Sequence, residues 1–331
     1  MSDVATIVDS LGGLAQKQQL VERGARDLDL TRAVRNGSVS RARQGWYTTL
    51  PEVDARVRAV RVGGRLTGIS AIIQLGGWVL GSHPLHVSVP DNAARLRSQH
   101  NRHARFDPAA PGGVVLHWDS SELSERGTAA SVGLSDALFR VVLDESLETA
   151  VAALDWALRT GALDLVDFYK LIQRLPEDYR CIRFWVDLDC DSLPESVSRT
   201  RLRLRGHFVT SQIPLGEVER IDLLVDYCAA IETDGEEFHL TRFEADRRKD
   251  VSILLEGFSV IRPSARMVFY DWDRVLRAVE TAISMHIRSP ASGNSGFAST
   301  APLKVPGSRL RRRRRLAHSP EFSKHSVTAR E

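Results

Sequence analysis

A chain of 331 residues, 43% hydrophobic and 26% charged, is long for one core and predicts two or three globular domains. No apolar stretch reaches the length of a membrane span, and residues 1–30 carry acids throughout with no apolar signal core; both point to a cytoplasmic protein without a membrane partner. The net charge of +3 is unevenly placed: residues 289–331 hold nine Lys/Arg against two Glu, leaving 36 basic and 40 acidic groups before them, so nucleic-acid affinity in the folded part must come from local patches.

The first 50 residues read as small helices: Val4 to Leu14, Lys17 to Glu22 and Leu28 to Asn36, punctuated by Gly12, Gly13, Gly24 and Gly37. Residues 39–48 then read as a β-hairpin turning near Gln44-Gly45. Three helices and a hairpin predict a winged helix-turn-helix over residues 1–50. Between Leu30 and Pro51 stand Arg32, Arg35, Arg41 and Arg43 with no acid. On a recognition helix and wing they would contact DNA phosphates, whereas a solvated basic face is the plainer alternative.

Residues 56–180 predict a mixed middle domain. Short strands are expected at Arg58–Val62, His86–Val89 and Val114–Trp118, and helix from Ser135 to about Arg174. His83, His86, His100, His103 and His117 match no common zinc spacing and receive no role. Cys181, Cys190 and Cys228 form no CxxC pair and read as free thiols, buried small hydrophobes in a reducing compartment.

From residue 190 to 288 the order is α-β-β-β-α-β, then a last helix. Ser192-x-x-Glu195 opens a helix running to about Arg205. Strands follow at Phe208–Ile213, Glu219–Val225 and Cys228–Thr233, a helix at 241–256, a strand at Phe258–Ile261 and a helix at Asp271–Ile287. With a turn near Asp226-Tyr227, Asp222 lies opposite Glu232, and alternation puts Asp234 on the same face as Glu232. Three converging carboxylates repel unless a divalent cation neutralises them, which suits Mg²⁺ or Mn²⁺ and phosphodiester hydrolysis. The strand acids could also be purely structural, since Asp234-Gly235 is a good turn signal. Residues 289–331, rich in Ser, Pro, Gly and Arg, predict a disordered basic tail.

Asp222, the Glu232-x-Asp234-Gly235 block, His239, Asp246-Arg-Arg-Lys-Asp250 and Gly257–Arg262 resemble the PD-(D/E)xK nuclease superfamily. The likeness is closest to the actinobacterial endonuclease-like domain related to very-short-patch-repair (Vsr) endonucleases. Gly12–Ala15, Leu30–Arg35 and Arg43–Tyr47 resemble the winged-helix head of AbiEi-type antitoxins. The resemblance implies a restriction-endonuclease-like α-β-β-β-α-β core in an α/β (α+β) chain, and DNA as partner. It implies that Asp222 and Glu232 hold Mg²⁺, that Glu195 adds an acid or merely caps its helix, and that His239 shuttles a proton or only ends a strand. In the third motif position, normally Lys, stands Asp234, which becomes a further ligand or base. Arg247, Arg248 or Lys249 would then approach the phosphate. The competing expectation is an inactive DNA-binding regulator of antitoxin type, with a toxin from the same operon as its partner.

Overall fold

The computed structural model describes residues 3–110, 112–119, 127–216, 219–233 and 243–288. The chain is mixed α/β; among the described residues there are three small sheets, and no helix is long and apolar enough to cross a membrane. It divides into two compact units, residues 1–171 and 172–331. Asp234, His239 and residues 289–331 lie outside the described residues.

The first unit opens with α1 (Val4–Ser10), β1 (Leu14–Gln16), α2 (Lys17–Glu22), α3 (Asp27–Arg35), β2 (Ser40–Arg43) and β3 (Trp46–Thr48). The helix expected to reach Leu14 stops at Ser10, because Gly12 and Gly13 take the left-handed φ values of 85° and 82° that glycine tolerates. Leu14 therefore starts a strand, and the antiparallel sheet runs β1-β3-β2. Val8 of α1, Leu20 of α2, Leu30 of α3 and Tyr47 of β3 share one core.

Next comes α4 (Ala55–Val62), in place of the strand that alternating Arg and Val predict at Arg58–Val62. The helical period wins because the Asp54 carboxylate accepts the Arg56 N–H at 2.8 Å, and Val57 and Val60 pack together against Leu14 and Ala42. A second sheet, β4 (Arg65–Leu66), β5 (Leu85–Pro90) and β6 (Val114–Asp119), has order β4-β5-β6, its last two strands parallel. α5 (Gly68–Gln74) separates β4 from β5. The helical stretch expected over 135–174 is three helices, α6 (Leu134–Asp144), α7 (Leu147–Arg159) and α8 (Leu165–Arg174), with α7 capped by Ser146.

The second unit places a 3-10 segment (Glu177–Phe184) before α9 (Leu193–Arg205), β7 (Val209–Leu215), β8 (Glu219–Val225), β9 (Ala229–Ile231), α10 (Phe243–Leu255), β10 (Ser259–Ile261), α11 (Ala265–Tyr270) and α12 (Trp272–Arg288). Its sheet has order β10-β9-β8-β7; β7, β8 and β9 are antiparallel and β10 runs parallel to β9. Three residues, 226–228, join β8 to β9: Asp226 and Tyr227 take positive φ of 47° and 60°, and the Cys228 N–H closes the turn on the Val225 carbonyl at 3.0 Å, so that Val225 pairs with Ala229. Asp226 tolerates this because its carboxylate accepts the Phe208 N–H and bonds His207 Nδ1, both at 2.8 Å. Leu223, Val225, Ala229 and Ile231 pack on Leu202 of α9 and on Leu276 and Val279 of α12. Ala230 and Leu215 pack with Ile253 of α10. The last helix has a separate short precursor, α11, which Ser264 starts by accepting the Met267 N–H.

Candidate functional site

The register of β8 and β9 brings two acids together. Leu223 pairs with Ile231 and Leu224 with Ala230, so one further step sets Asp222 level with Glu232. The Asp222 N–H donates to Glu232 Oε1 at 3.2 Å, and the Thr233 N–H donates to Asp222 Oδ2 at 2.9 Å. Alternation puts Glu232 on the same face as Ala230, which α10 covers through Ile253. One helical turn before Ile253 stands Lys249, and two residues beyond Ala230 stands Glu232; the two spacings match at about 6 Å each. Lys249 Nζ accordingly pairs with Glu232 Oε2 and lies 3.7 Å from Asp222 Oδ1. A positive charge is thus present beside the acids, brought by the neighbouring helix.

Glu195 carries two roles at once. It completes the cap of α9: its N–H donates to Ser192 Oγ at 3.3 Å, and the Ser192 hydroxyl donates back to Glu195 Oε1 at 2.7 Å. Its other oxygen accepts from the Asp191 N–H and from Gln212 Nε2, each at 3.1 Å. Gln212 lies between the pairs Ser211–Leu223 and Ile213–Ile221, level with Asp222, and has a φ of 52°. A non-glycine residue held left-handed inside a strand is strained, and such strain concentrates at functional sites. Sequence reading missed Gln212, because only the backbone angle singles it out.

The electrostatics are those of carboxylates short of cations. Burial pushes Glu195 and Glu232 up to about 7, and the charge of Asp222 adds to both. Ser192, Asp191 and Gln212 oppose the shift at Glu195, and Lys249 opposes it at Glu232. Asp222 is raised as well, by burial, against Lys249 and Arg262. Arg262 Nη2 is 4.0 Å from Glu232 Oε2, but its guanidinium is also engaged by Asp250 and Asp246. An oxygen-only, buried and under-neutralised donor set fits a hard dication such as Mg²⁺ or Mn²⁺.

The five arginines expected to meet DNA fall in different settings. Arg32 and Arg35 are exposed on α3, Arg41 on β2 and Arg247 on α10. Arg43 is spent internally: Nη1 donates to the carbonyls of Arg61 and Val62 at 3.1 and 2.7 Å, and Nη2 to that of Arg95 at 3.0 Å. It ties the hairpin to the loop that carries Arg95, Arg97 and Arg102. Arg102 Nη1 makes a second tie, to the Arg41 carbonyl at 2.8 Å. Between hairpin and loop lies a cleft of about 340 Å³ lined by Arg41, Arg43, Gln44, Arg95, Arg97, Arg102 and His103. Arg95, Arg97 and Arg102 come from a loop about 50 residues beyond the hairpin, so local charge counting could not collect them. If this cleft grips phosphates, Arg95→Ala and Arg102→Ala each weaken binding evenly across DNA sequences. Each also reduces the slope of log K against log salt by about 1, read by fluorescence anisotropy across a salt series. Arg43→Ala should instead lower thermal stability, since three carbonyls lose their donor.

No family model matches the chain, and no curated protein matches it either.

Proposed function

We propose that this protein is a metal-dependent DNA endonuclease, a winged helix-turn-helix joined to a restriction-endonuclease-like core. The observation carrying this reading is the convergence of Asp222, Glu232 and Lys249, with Glu195 close enough to Asp222 to feel its charge. Asp222 and Glu232 would hold Mg²⁺ or Mn²⁺, which when bound supplies an acidified water and neutralises phosphate charge. Lys249 projects its ammonium from α10 at the acids' edge, where it would bind a non-bridging oxygen of the scissile phosphate. Glu195, titrating near neutral pH and oriented by Gln212, would take up or release a proton. The arginine cleft of the first unit would bind the phosphate backbone without reading sequence.

The cleft also favours a second reading, a DNA-binding regulator of antitoxin type without turnover. Incubating purified full-length protein with plasmid and with mismatched duplex in Mg²⁺ or Mn²⁺ separates the two. Cleavage by the parent and none by Asp222→Ala supports the nuclease. Salt-sensitive DNA binding by both proteins with no cleavage by either supports the regulator.

A further inference from the structure

The first unit contains a second polar cluster that the nuclease reading leaves unused. His86 on β5 and His117 on β6 are 4% and 8% exposed, and Asp144 and Glu145 stand at the end of α6. Parallel pairing of β5 with β6 sets Val87 beside Leu116 and Ser88 beside His117, which leaves the two imidazoles diagonal neighbours. His86 Nδ1 and His117 Nε2 face each other at 3.2 Å. Their outer nitrogens face carboxylates: His86 Nε2 is 3.9 Å from Glu145 Oε1, and His117 Nδ1 is 3.8 Å from Asp144 Oδ2. The other Glu145 oxygen lies 3.2 Å from His83 Nδ1.

Counting hydrogens shows what this line of groups lacks. Two neutral imidazoles carry two N–H groups between them. Pointed outward at the carboxylates, they leave two bare lone pairs confronting each other at 3.2 Å. Turning one inward to bridge the rings leaves a bare nitrogen facing a carboxylate. The first arrangement opposes lone pairs in a buried place and the second leaves one imidazole nitrogen unprotonated before an exposed carboxylate, whereas a cation between the facing nitrogens uses both lone pairs at once. Nitrogens ligating one tetrahedral zinc at about 2.0–2.1 Å are about 3.3 Å apart, close to the separation here. One ring nitrogen of each histidine and one Asp144 oxygen also lie within 4.8 Å of one another.

We infer that His86, His117 and Asp144 bind a transition-metal dication of the zinc class, with Glu145 orienting His86 from behind. Nitrogen donors select such an ion over Mg²⁺, so this site is chemically distinct from the acid cluster of the second unit. A carboxylate behind a ligating imidazole is the usual support for such a ligand. Arg140, whose charge reaches His117 and Asp144, is held by Asp119 at 2.6 Å.

The test uses tag-free full-length protein, stripped with chelator, dialysed against Zn²⁺ and then against metal-free buffer. About one equivalent of zinc per chain should remain by mass spectrometry, and Co²⁺ loading should give the visible bands of a four-coordinate site. His86→Gln and His117→Gln should lose both signals, with circular dichroism reporting their folding. Asp144→Asn, at the surface and safe for folding, should bind at least about 10-fold more weakly, while Asp222→Asn should keep the full equivalent. No retained zinc in the parent overturns the inference. So does retention indifferent to Asp144→Asn, or lost in Asp222→Asn.

Discussion

On the nuclease reading, Lys249→Met should lower the rate of Mg²⁺-dependent cleavage at saturating DNA by about 100-fold or more, far more than it weakens DNA binding, because one positioned electrostatic donor is typically worth ~10²–10³ in turnover. Lys249 pairs with both Asp222 and Glu232, whereas Arg262, which also reaches both acids, stands farther from Glu232 at 4.0 Å and is engaged by Asp250 and Asp246. The contrary view is that its ammonium only neutralises two buried acids until a metal displaces it. On that view Lys249→Met would bind Mg²⁺ more tightly and cleave at the parental rate. Initial rates on supercoiled plasmid at saturating Mg²⁺, with calorimetric Mg²⁺ titration alongside, separate the two. An unchanged rate with tighter metal binding would sink the catalytic role. Lys249→Arg should recover little, because a guanidinium is a planar fork and cannot stand in for a compact ammonium.

What the sequence could reveal depended on how local each feature is. The hairpin at Asp226-Tyr227 and the pairing of Asp222 with Glu232 were legible because apolar flanks fix the strand period and a loop centred on Tyr227 fixes the register. Glu195 was readable as a cap through Ser192-x-x-Glu195, but its approach to Asp222 depends on where α9 lies on the sheet. Lys249 was one of three basic residues in a row, and only the packing of Ile253 against Ala230 selects it over Arg247 and Arg248. The Arg58–Val62 segment misled for a related reason: a cap at Asp54 and a buried Val57–Val60 pair outweighed an alternating pattern. His86 and His117, 31 residues apart, carried no spacing signal because a parallel strand pair, not a loop motif, brings them together.

The acid cluster should also make the metal-free protein less stable as pH rises from about 4.5 to 7, the reverse of the usual behaviour of paired carboxylates. Glu195 and Glu232 titrate near 7 when folded and near 4.5 when not. Across that interval the folded chain holds protons that the unfolded chain has released, so stability is fully present below 4.5 and falls toward 7. Each group costs up to about 3 kcal/mol once ionised, because every tenfold change in proton affinity is worth about 1.36 kcal/mol. Both are almost fully buried, at 4% and 2% exposure, so solvent screens little of this. Asp222 raises both glutamates, and Asp222→Asn keeps its size and its acceptor for the Thr233 N–H. That variant should unfold at higher urea than the parent at about pH 8 and at nearly the same urea at about pH 5. Mg²⁺ should stabilise the parent at the higher pH and do much less for the variant. The readout is the urea transition of parent and variant followed by circular dichroism, at both pH values, with and without Mg²⁺. Because burial of His86 and His117 adds stability over the same pH range, the deciding quantity is the difference between parent and variant: a gap that does not widen with pH would mean the carboxylates are already neutralised by their lysine and arginine neighbours, leaving no charge deficit for a dication to fill. A falling midpoint restored by Mg²⁺ would mean the site is held in an electrostatically costly state that its metal relieves, which is the expected condition of a centre built for phosphodiester chemistry.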